Sequence, residues 1–203
     1  MATSKQVERL TSRADSGDSE SQYKLAQHHL AGNGVEINIE RAHQLIESAA
    51  KLGHLNAIYL LGVWAQTGER GPEDPARAVQ LYEQAGNEGH LNALLNLGIL
   101  TQVGIGTPMD MLKARDIYTR AAEAGSGQAA ANLGKLYEAG ALSDGESDYP
   151  MAIHWYRKSI KLGFAEARTA LEAVHAAMGV PSLMTGEVRP KSASFWKRIL
   201  GLR

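Results

Sequence analysis

The chain repeats itself at intervals of 36 residues. The stretch from His90 to Gly125 consists of two helix-period runs that are separated by a glycine-proline loop. Its opening letters HLNA also occur at His54 to Ala57, and the pair Leu97-Gly98 recurs at Leu133-Gly134. Because self-similarity at a period between about 20 and 50 residues is typical of solenoids, this feature constrains the fold more than any single residue does.

The composition is that of a folded chain. Hydrophobic residues make up 44% and charged residues 21% of the 203 residues, which argues against disorder of the whole chain. A net charge of -1 argues against a nucleic-acid-binding protein with a broad basic face. The chain contains no cysteine, which excludes disulfides, thiolate catalysis and cysteine-ligated zinc.

The N-terminal segment MATSKQVERLT lacks the apolar core of a secretory signal. No run in the sequence approaches the roughly 18 apolar residues of a membrane span. We therefore expect a cytoplasmic protein.

The period predicts four repeats with a cap at each end. The repeats are expected at residues 18–53, 54–89, 90–125 and 126–163, after an N-terminal capping half-repeat at 1–17. In the first repeat we expect helices from about Glu20 to Ala31 and from about Ile39 to Leu52. A C-terminal capping helix is expected at 164–179, and a linker with a basic tail follows at 180–203.

Equivalent positions of the repeats carry equivalent side chains. An N-cap is expected before each second helix, at Asn38, Asp74, Asp110 and Asp148. A row of small residues lies beside a row of leucines in the first helices, at Ala26, Gly62, Gly98 and Gly134. We expect Gly98 to lie where two helices touch. Each helix is apolar along one stripe, which neighbouring repeats bury by stacking.

These rows resemble the Sel-one-like repeat family, a relative of the tetratricopeptide repeat. The resemblance is carried by Leu97-Gly98, by Leu133 to Tyr137, by the loop from Gly32 to Val35, and by Trp155 to Lys158. It implies an all-α fold, a right-handed α-solenoid of about four antiparallel helix pairs with capping helices. The first helices of this superhelix would line a concave groove that binds a protein or peptide.

The chain departs from the family pattern in a few places. Ala26 replaces the glycine of the first repeat, and Ala65 and Thr101 replace the aromatic residue found at Tyr137. The second repeat carries the sequence GERGP in its loop. We expect these departures to affect local packing rather than the fold.

The sequence contains no recognised catalytic, cofactor-binding or metal-binding motif. His28 and His29 are adjacent and point to different faces of a helix, whereas His54 and His90 share one register at the repeat junction. No His-x-x-x-His pair with a carboxylate base and no nucleophile elbow occurs. The glycines at 104–106 lack the lysine and strand of a phosphate loop, so they predict a turn. We expect neither cofactor nor metal and nominate no catalytic residue.

Polar and aromatic residues recur on the predicted inner face of the first helices. Amides suit an extended peptide backbone because they both donate and accept hydrogen bonds, and tyrosines supply rigid contact area. In the alternative interpretation, the asparagines cap or bridge helices and the tyrosines pack. The predicted groove residues are Tyr23, Gln27, Asn56, Tyr59, Val63, Gln66, Asn92, Asn96, Ile99, Gln102, Asn132 and Lys135.

The C-terminal tail separates charge. From Glu187 to Arg203 there are five basic residues and one acidic residue, a balance of +4, which leaves -5 on the rest of the chain. The tail could dock on the acidic body, adhere to an anionic membrane or serve as a recognition peptide. Self-docking or disorder is favoured over membrane contact.

The sequence favours a non-enzymatic scaffold or adaptor that binds a protein or peptide partner in the groove. Bacterial assembly, regulation and toxin neutralisation are the roles we consider, and nucleic acid is not an expected partner. A hydrolase of cell-wall or peptide substrates with an unrecognised site is the alternative. The partner and the oligomeric state are not predicted by any residue pattern.

Overall fold

The computed structural model describes residues 4–143 and 145–179, so the predicted linker and basic tail at 180–203 lie outside the described residues. The described part of the chain is entirely helical, which confirms the all-α prediction. Its helices are α1 Ser4–Asp15, α2 Ser19–Ala31, α3 Ile39–Lys51, α4 Leu55–Thr67, α5 Pro75–Asn87, α6 Leu91–Val103, α7 Met111–Glu123, α8 Gly127–Glu138, α9 Tyr149–Lys161 and α10 Ala167–Ala177. None of these helices is long and apolar enough to cross a membrane.

The helices form two compact units, Met1–Ala130 and Ala131–Arg203, and the boundary falls inside α8. In the first unit, α2 pairs with α3, α4 with α5, and α6 with α7. Contacts of α3 with α4 and of α5 with α6 join these pairs, and α1 packs against α2. Each pair is one repeat, so a repeat buries its apolar stripes against its own second helix and against the next repeat.

The predicted N-caps of the second helices are confirmed. The side chains of Asn38, Asp74 and Asp110 each accept a hydrogen bond of 2.9 Å from the backbone N–H three residues further on. Asp148 does the same at 3.0 Å. The first helices of the first three repeats, α2, α4 and α6, each end at a glycine in the left-handed region, for example Gly68 at φ 70°. Caps and left-handed glycines therefore fix where each helix begins and ends.

The small-residue row lies at helix contacts, as predicted for Gly98. A Cβ atom at Gly62 would lie 2.6 Å from the Tyr82 ring, and one at Gly98 would overlap the Tyr118 ring. In the second unit a Cβ atom at Gly134 would meet Tyr156 in the same way. The three tyrosines are fully buried. Glycine is therefore required because a bulky ring occupies the space of its side chain.

The second unit has its own small core between α9 and α10. Tyr156 and Ala152 of α9 pack with Leu171 and Val174 of α10, and all four are fully buried. The partly buried Phe164 packs against this cluster. Helix α10 thus forms within the segment expected to hold the C-terminal capping helix.

Candidate functional site

The candidate site is the solvent-exposed side of α2, α4 and α6 in the first unit, which we call the first-helix face. Its members recur every 36 residues along the chain and are exposed or half-buried. They are Glu20, Lys24 and Gln27 of α2, Asn56, Leu60 and Val63 of α4, and Asn92, Asn96, Ile99 and Val103 of α6.

A histidine borders this face at the junction between the first and second repeats. The Nδ1 atom of His54 accepts a hydrogen bond of 3.3 Å from the backbone N–H of Ala57 and so caps α4. Its Nε2 atom lies 2.9 Å from a carboxylate oxygen of Glu20. The imidazole also stacks on the Tyr23 ring, with 4.5 Å between centroids. The side chain of His54 therefore links the start of α4 to Glu20 and Tyr23 of the preceding repeat.

His90 makes the same set of contacts one repeat later. Its Nδ1 atom accepts from the N–H of Ala93 at 3.1 Å, and its Nε2 atom lies 3.0 Å from the side-chain oxygen of Asn56. Its ring stacks on Tyr59 at 4.6 Å. Since Asn56 can only accept through this oxygen, Nε2 carries the proton and Nδ1 is free to cap α6. Burial lowers the pKa of His90, which agrees with this neutral form.

A second recurring contact joins each buried tyrosine to a first helix. Tyr82 donates a hydrogen bond of 2.8 Å to the side-chain oxygen of Gln66, and Tyr118 donates one of 2.9 Å to Gln102. The hydroxyl of Tyr82 also interacts with Asn96, and burial raises the pKa of Tyr82. These amides therefore stabilise the repeats, whatever else they bind.

The second unit has a charged version of the same contact. Tyr156 donates to a carboxylate oxygen of Glu138 at 2.5 Å. Burial and the adjacent carboxylate raise the pKa of Tyr156 far above its usual range. Two predicted groove residues, Asn132 and Lys135, lie on α8 in this unit, half-buried and exposed respectively.

The other predicted groove residues differ in what already contacts them. Tyr23, Tyr59, Asn56, Asn96, Gln66 and Gln102 take part in the contacts above. No such hydrogen bond or ring contact within the described residues involves Gln27, Val63, Asn92 or Ile99. The first-helix face therefore divides into residues that hold the repeats together and residues that face solvent.

Sequence reasoning missed two apolar members of the face. Leu60 is half-buried, and Val103 is 50% exposed. Both could have been found from helix periodicity, because Leu60 follows Asn56 by one turn and Val103 follows Ile99 by one turn. Together with Val63 and Ile99 they place apolar side chains among amides on α4 and α6.

The charges of the face lie on α2. Lys24 forms an ion pair of 2.8 Å with Glu20. The hydrogen bonds from Lys24 and His54 lower the pKa of the Glu20 carboxyl. Nowhere in the described residues do three histidine, aspartate or glutamate side chains form a group that could hold a metal ion. His28 and His29 instead contact the backbone carbonyls of Asn33 and Glu36.

Comparison with known families agrees with the architecture. The Sel1 repeat model matches residues 19–54, 55–90, 91–126 and 127–164, which is more than half of the chain. The chain belongs to the Sel1 repeat family. Sel1 repeat proteins generally mediate protein–protein interaction. The matched repeats begin one residue after the predicted bounds, and His54 and His90 each close a repeat.

Solved structures of Sel1 and SLR proteins are similar to this chain. A protective antigen of uropathogenic Escherichia coli with an SLR fold shares 30% identity and a TM-score of 0.76, over 86% of this chain and 37% of that chain. A Sel1 repeat protein from Oxalobacter formigenes shares 24% identity and a TM-score of 0.75, over 97% and 78% of the two chains. An immunity protein from Pseudomonas aeruginosa shares 23% identity and a TM-score of 0.50, over 79% and 59%. This chain thus spans just over a third of the antigen. No curated protein matches it.

Proposed function

We propose that this Sel1 repeat protein is a non-enzymatic adaptor that binds a segment of a partner protein on its first-helix face. The observation that carries the proposal is the uncommitted part of that face. Gln27 and Asn92 are exposed, Val63 and Ile99 are half-buried, and no contact described within the chain uses their side chains as a structural link. A structural role alone does not account for this mixture of amide and apolar groups.

The chemistry of the face suits an extended peptide. Amides of Gln27 and Asn92 can each donate to and accept from a peptide backbone, which itself carries alternating donors and acceptors. The apolar side chains of Val63, Ile99 and Val103 supply area that a partner can remove from water. We infer that partner side chains pack on α4 and α6 while the backbone bonds to the amides.

The biological setting is part of the proposal. The similar SLR structures from bacteria support a bacterial adaptor, and a cytoplasmic location remains a prediction from the sequence. Toxin neutralisation is the first specific role to test, since one similar fold belongs to a protein named as an immunity protein. At 23% identity that likeness concerns the fold alone.

The test is capture of an identified partner by the full chain. After co-purification and identification by mass spectrometry, binding of the purified partner is measured by calorimetry. Val63→Glu combined with Ile99→Glu should weaken binding at least tenfold, about 1.4 kcal/mol, because two charges enter the apolar part of the interface.

The matched control places two glutamates on a second helix instead. Gln80 and Gln84 of α5 are exposed, so Gln80→Glu with Gln84→Glu adds the same charge without touching the first-helix face. Thermal unfolding of both variants checks that the fold survives. If the control loses the partner and the Val63/Ile99 variant retains it, the first-helix face is the wrong surface.

A further inference from the structure

A cavity of about 430 Å³ opens beside the loop that joins α4 to α5. It lies in the first unit, and none of the residues of the first-helix face lines it. Apolar groups of Leu61, Trp64 and Pro72 contribute to the lining. Its charged residues are Lys51, Arg70, Arg77, Glu47 and Asp74. The cavity combines an apolar surface with ionised groups, as binding sites for small polar segments do.

The loop with the sequence GERGP, which borders this cavity, differs from the loops of the first and third repeats. In the third repeat the equivalent loop has Gly106, where a Cβ atom would overlap the backbone of Pro75 at the start of the preceding second helix. The second repeat carries Arg70 at that register. Its guanidinium lies 6.0 Å over the Trp64 ring and 3.3 Å from a carboxylate oxygen of Glu40. Among the first three repeats, only the second lacks a glycine at this register. The cavity lies beside the arginine that replaces it.

The indole of Trp64 is held by packing at the edge of the cavity. Trp64 is 6% exposed, and the His43 ring packs edge-on against it with 4.7 Å between centroids. His43 is itself buried, and its Nδ1 atom has no hydrogen-bond partner within the described residues. Because both rings are held by packing, the indole offers a fixed edge to a ligand.

Some of the charged groups that line the cavity already have partners in the protein, and others do not. Arg70 is paired with Glu40, and the carboxylate of Asp74 accepts from the backbone N–H of Arg77 at 2.9 Å. Within the described residues, neither the ammonium of Lys51 nor the guanidinium of Arg77 has an ion-pair partner. Glu47 supplies a second carboxylate beside Asp74. Lys51 and Arg77 are therefore the cations of the lining that an anion can pair with without displacing Glu40 from Arg70.

We propose that this cavity binds a carboxylate that a peptide partner carries next to an apolar side chain. The apolar side chain packs on Trp64, Leu61 and Pro72, and the carboxylate lies between Lys51 and Arg77. The same chemistry is provided by the C-terminal carboxylate after an apolar last residue and by an aspartate beside an apolar residue. This inference goes beyond the first-helix face, and its failure would leave that proposal unaffected.

The experiment follows the indole N–H signal of Trp64 by nuclear magnetic resonance in the full chain, after assignment with Trp64→Phe. Three probes are titrated: the acetylated dipeptide alanyl-leucine with a free carboxylate, its C-terminal amide, and acetylated aspartyl-leucine amide. The free acid is expected to shift the signal with at least tenfold higher affinity than its amide. The aspartyl probe reports whether an acidic side chain serves equally well.

Variants separate the two cations from a general charge effect. Lys51→Ala with Arg77→Ala should weaken binding of the free acid at least tenfold, whereas Glu47→Gln should strengthen it because one of the two repelling carboxylates is removed. The matched control is Lys113→Ala with Lys161→Ala, which removes charges at the equivalent positions of other repeats. All four basic residues are exposed, so folding should persist, and thermal unfolding verifies it.

The outcomes decide the proposal in either direction. A carboxylate-dependent shift that is lost in the Lys51/Arg77 variant and kept in the control supports it, with either charged probe. Equal binding of the amide and both charged probes would overturn it. So would an unperturbed Trp64 signal at the solubility limit of all three probes, or unchanged affinity in the Lys51/Arg77 variant.

Discussion

At the scale of single residues, the missing side chains of Gly62 and Gly98 make room for tyrosines. The first repeat has Ala26 at this register, and at the tyrosine register it has Ile46 instead. It also has Leu30 where the second and third repeats have the glutamine that accepts from the tyrosine. The three positions change together because the smaller Ile46 leaves room for a methyl group and needs no hydrogen-bond acceptor.

Gly98→Ala should therefore destabilise the protein. Alanine normally stabilises a helix interior by about 1 kcal/mol relative to glycine. Here the added methyl group overlaps the Tyr118 ring, and overpacking of this kind costs about 1–3 kcal/mol. We expect the overpacking to win, so that chemical denaturation gives a lower free energy of unfolding.

The first repeat supplies the control for this variant. Gly98→Ala combined with Tyr118→Ile reproduces the Ala26 and Ile46 pair, so the two changes should cost less together than the sum of their separate costs. Additive effects, or a more stable Gly98→Ala protein, would show that the ring yields to the methyl group.

Sequence reasoning reached the glycine row but not its cause. Periodicity identifies residues such as Gly62 that share a register, and small residues predict close approach. It does not show which row of the second helix faces them. That Tyr82 fills the space and then reaches Gln66 depends on a side-chain path across sixteen residues of sequence, which only packing determines.

At the scale of secondary-structure elements, the caps divide into a predictable and an unpredictable set. The aspartates and the asparagine before the second helices are common N-caps and were predicted. His54 and His90 before the first helices were assigned to the repeat junction, but their capping role was missed. A histidine caps only when Nε2 holds the proton and Nδ1 is turned toward the helix, which their contacts with Glu20 and Asn56 favour.

Asp110→Ala should destabilise the first turn of α7 and so lower the free energy of unfolding. Its carboxylate accepts from the N–H of Lys113 at 2.9 Å, and loss of such a cap costs about 0.5–2 kcal/mol. Denaturant midpoints measure the change, and Asp110→Asn is the control because an amide oxygen caps nearly as well. An equal loss in both variants would mean that charge, rather than the hydrogen bond, stabilises the helix.

The candidate site likewise has features that the sequence predicts and features that it does not. Its first-helix location was inferred from the family resemblance and the 36-residue register. The sequence could not show that Tyr59 and Asn56 are already engaged by His90, since the histidine lies more than thirty residues away. It equally gave no reason to link the GERGP loop to a cavity.

At the scale of the whole molecule, buried histidines make stability depend on pH. Burial lowers the pKa of His90 and, together with Arg157 in the second unit, the pKa of His175. The unfolded chain, with a histidine pKa near about 6.5, then binds more protons than the native protein. The contribution of the two neutral histidines to the free energy of unfolding is complete above the unfolded-state pKa. It is lost as pH falls through the lower pKa values of the native protein.

We expect the midpoint temperature of thermal unfolding to decrease as the pH is lowered from 7.5 to 5.5. His90→Asn keeps a capping oxygen but does not titrate in this range, so its midpoint should depend less on pH than that of the parent. A scan that stops above pH 5 avoids protonation of Glu20, whose lowered pKa also makes stability fall with pH, but only at greater acidity. An identical pH dependence of both proteins would exclude His90 as a contributor.

The histidine and tyrosine contacts also bear on how such a chain can change its length. Within residues 55–90, Tyr59 and Asn56 find their partner in His90, and Tyr82 finds Gln66. A duplicated segment with these bounds would carry these three contacts with it and would present a capping histidine to the helix that follows. Gene duplication in whole units of 36 residues therefore preserves the contacts within the unit, whereas the insertion of one codon inside a helix would separate partners that now meet.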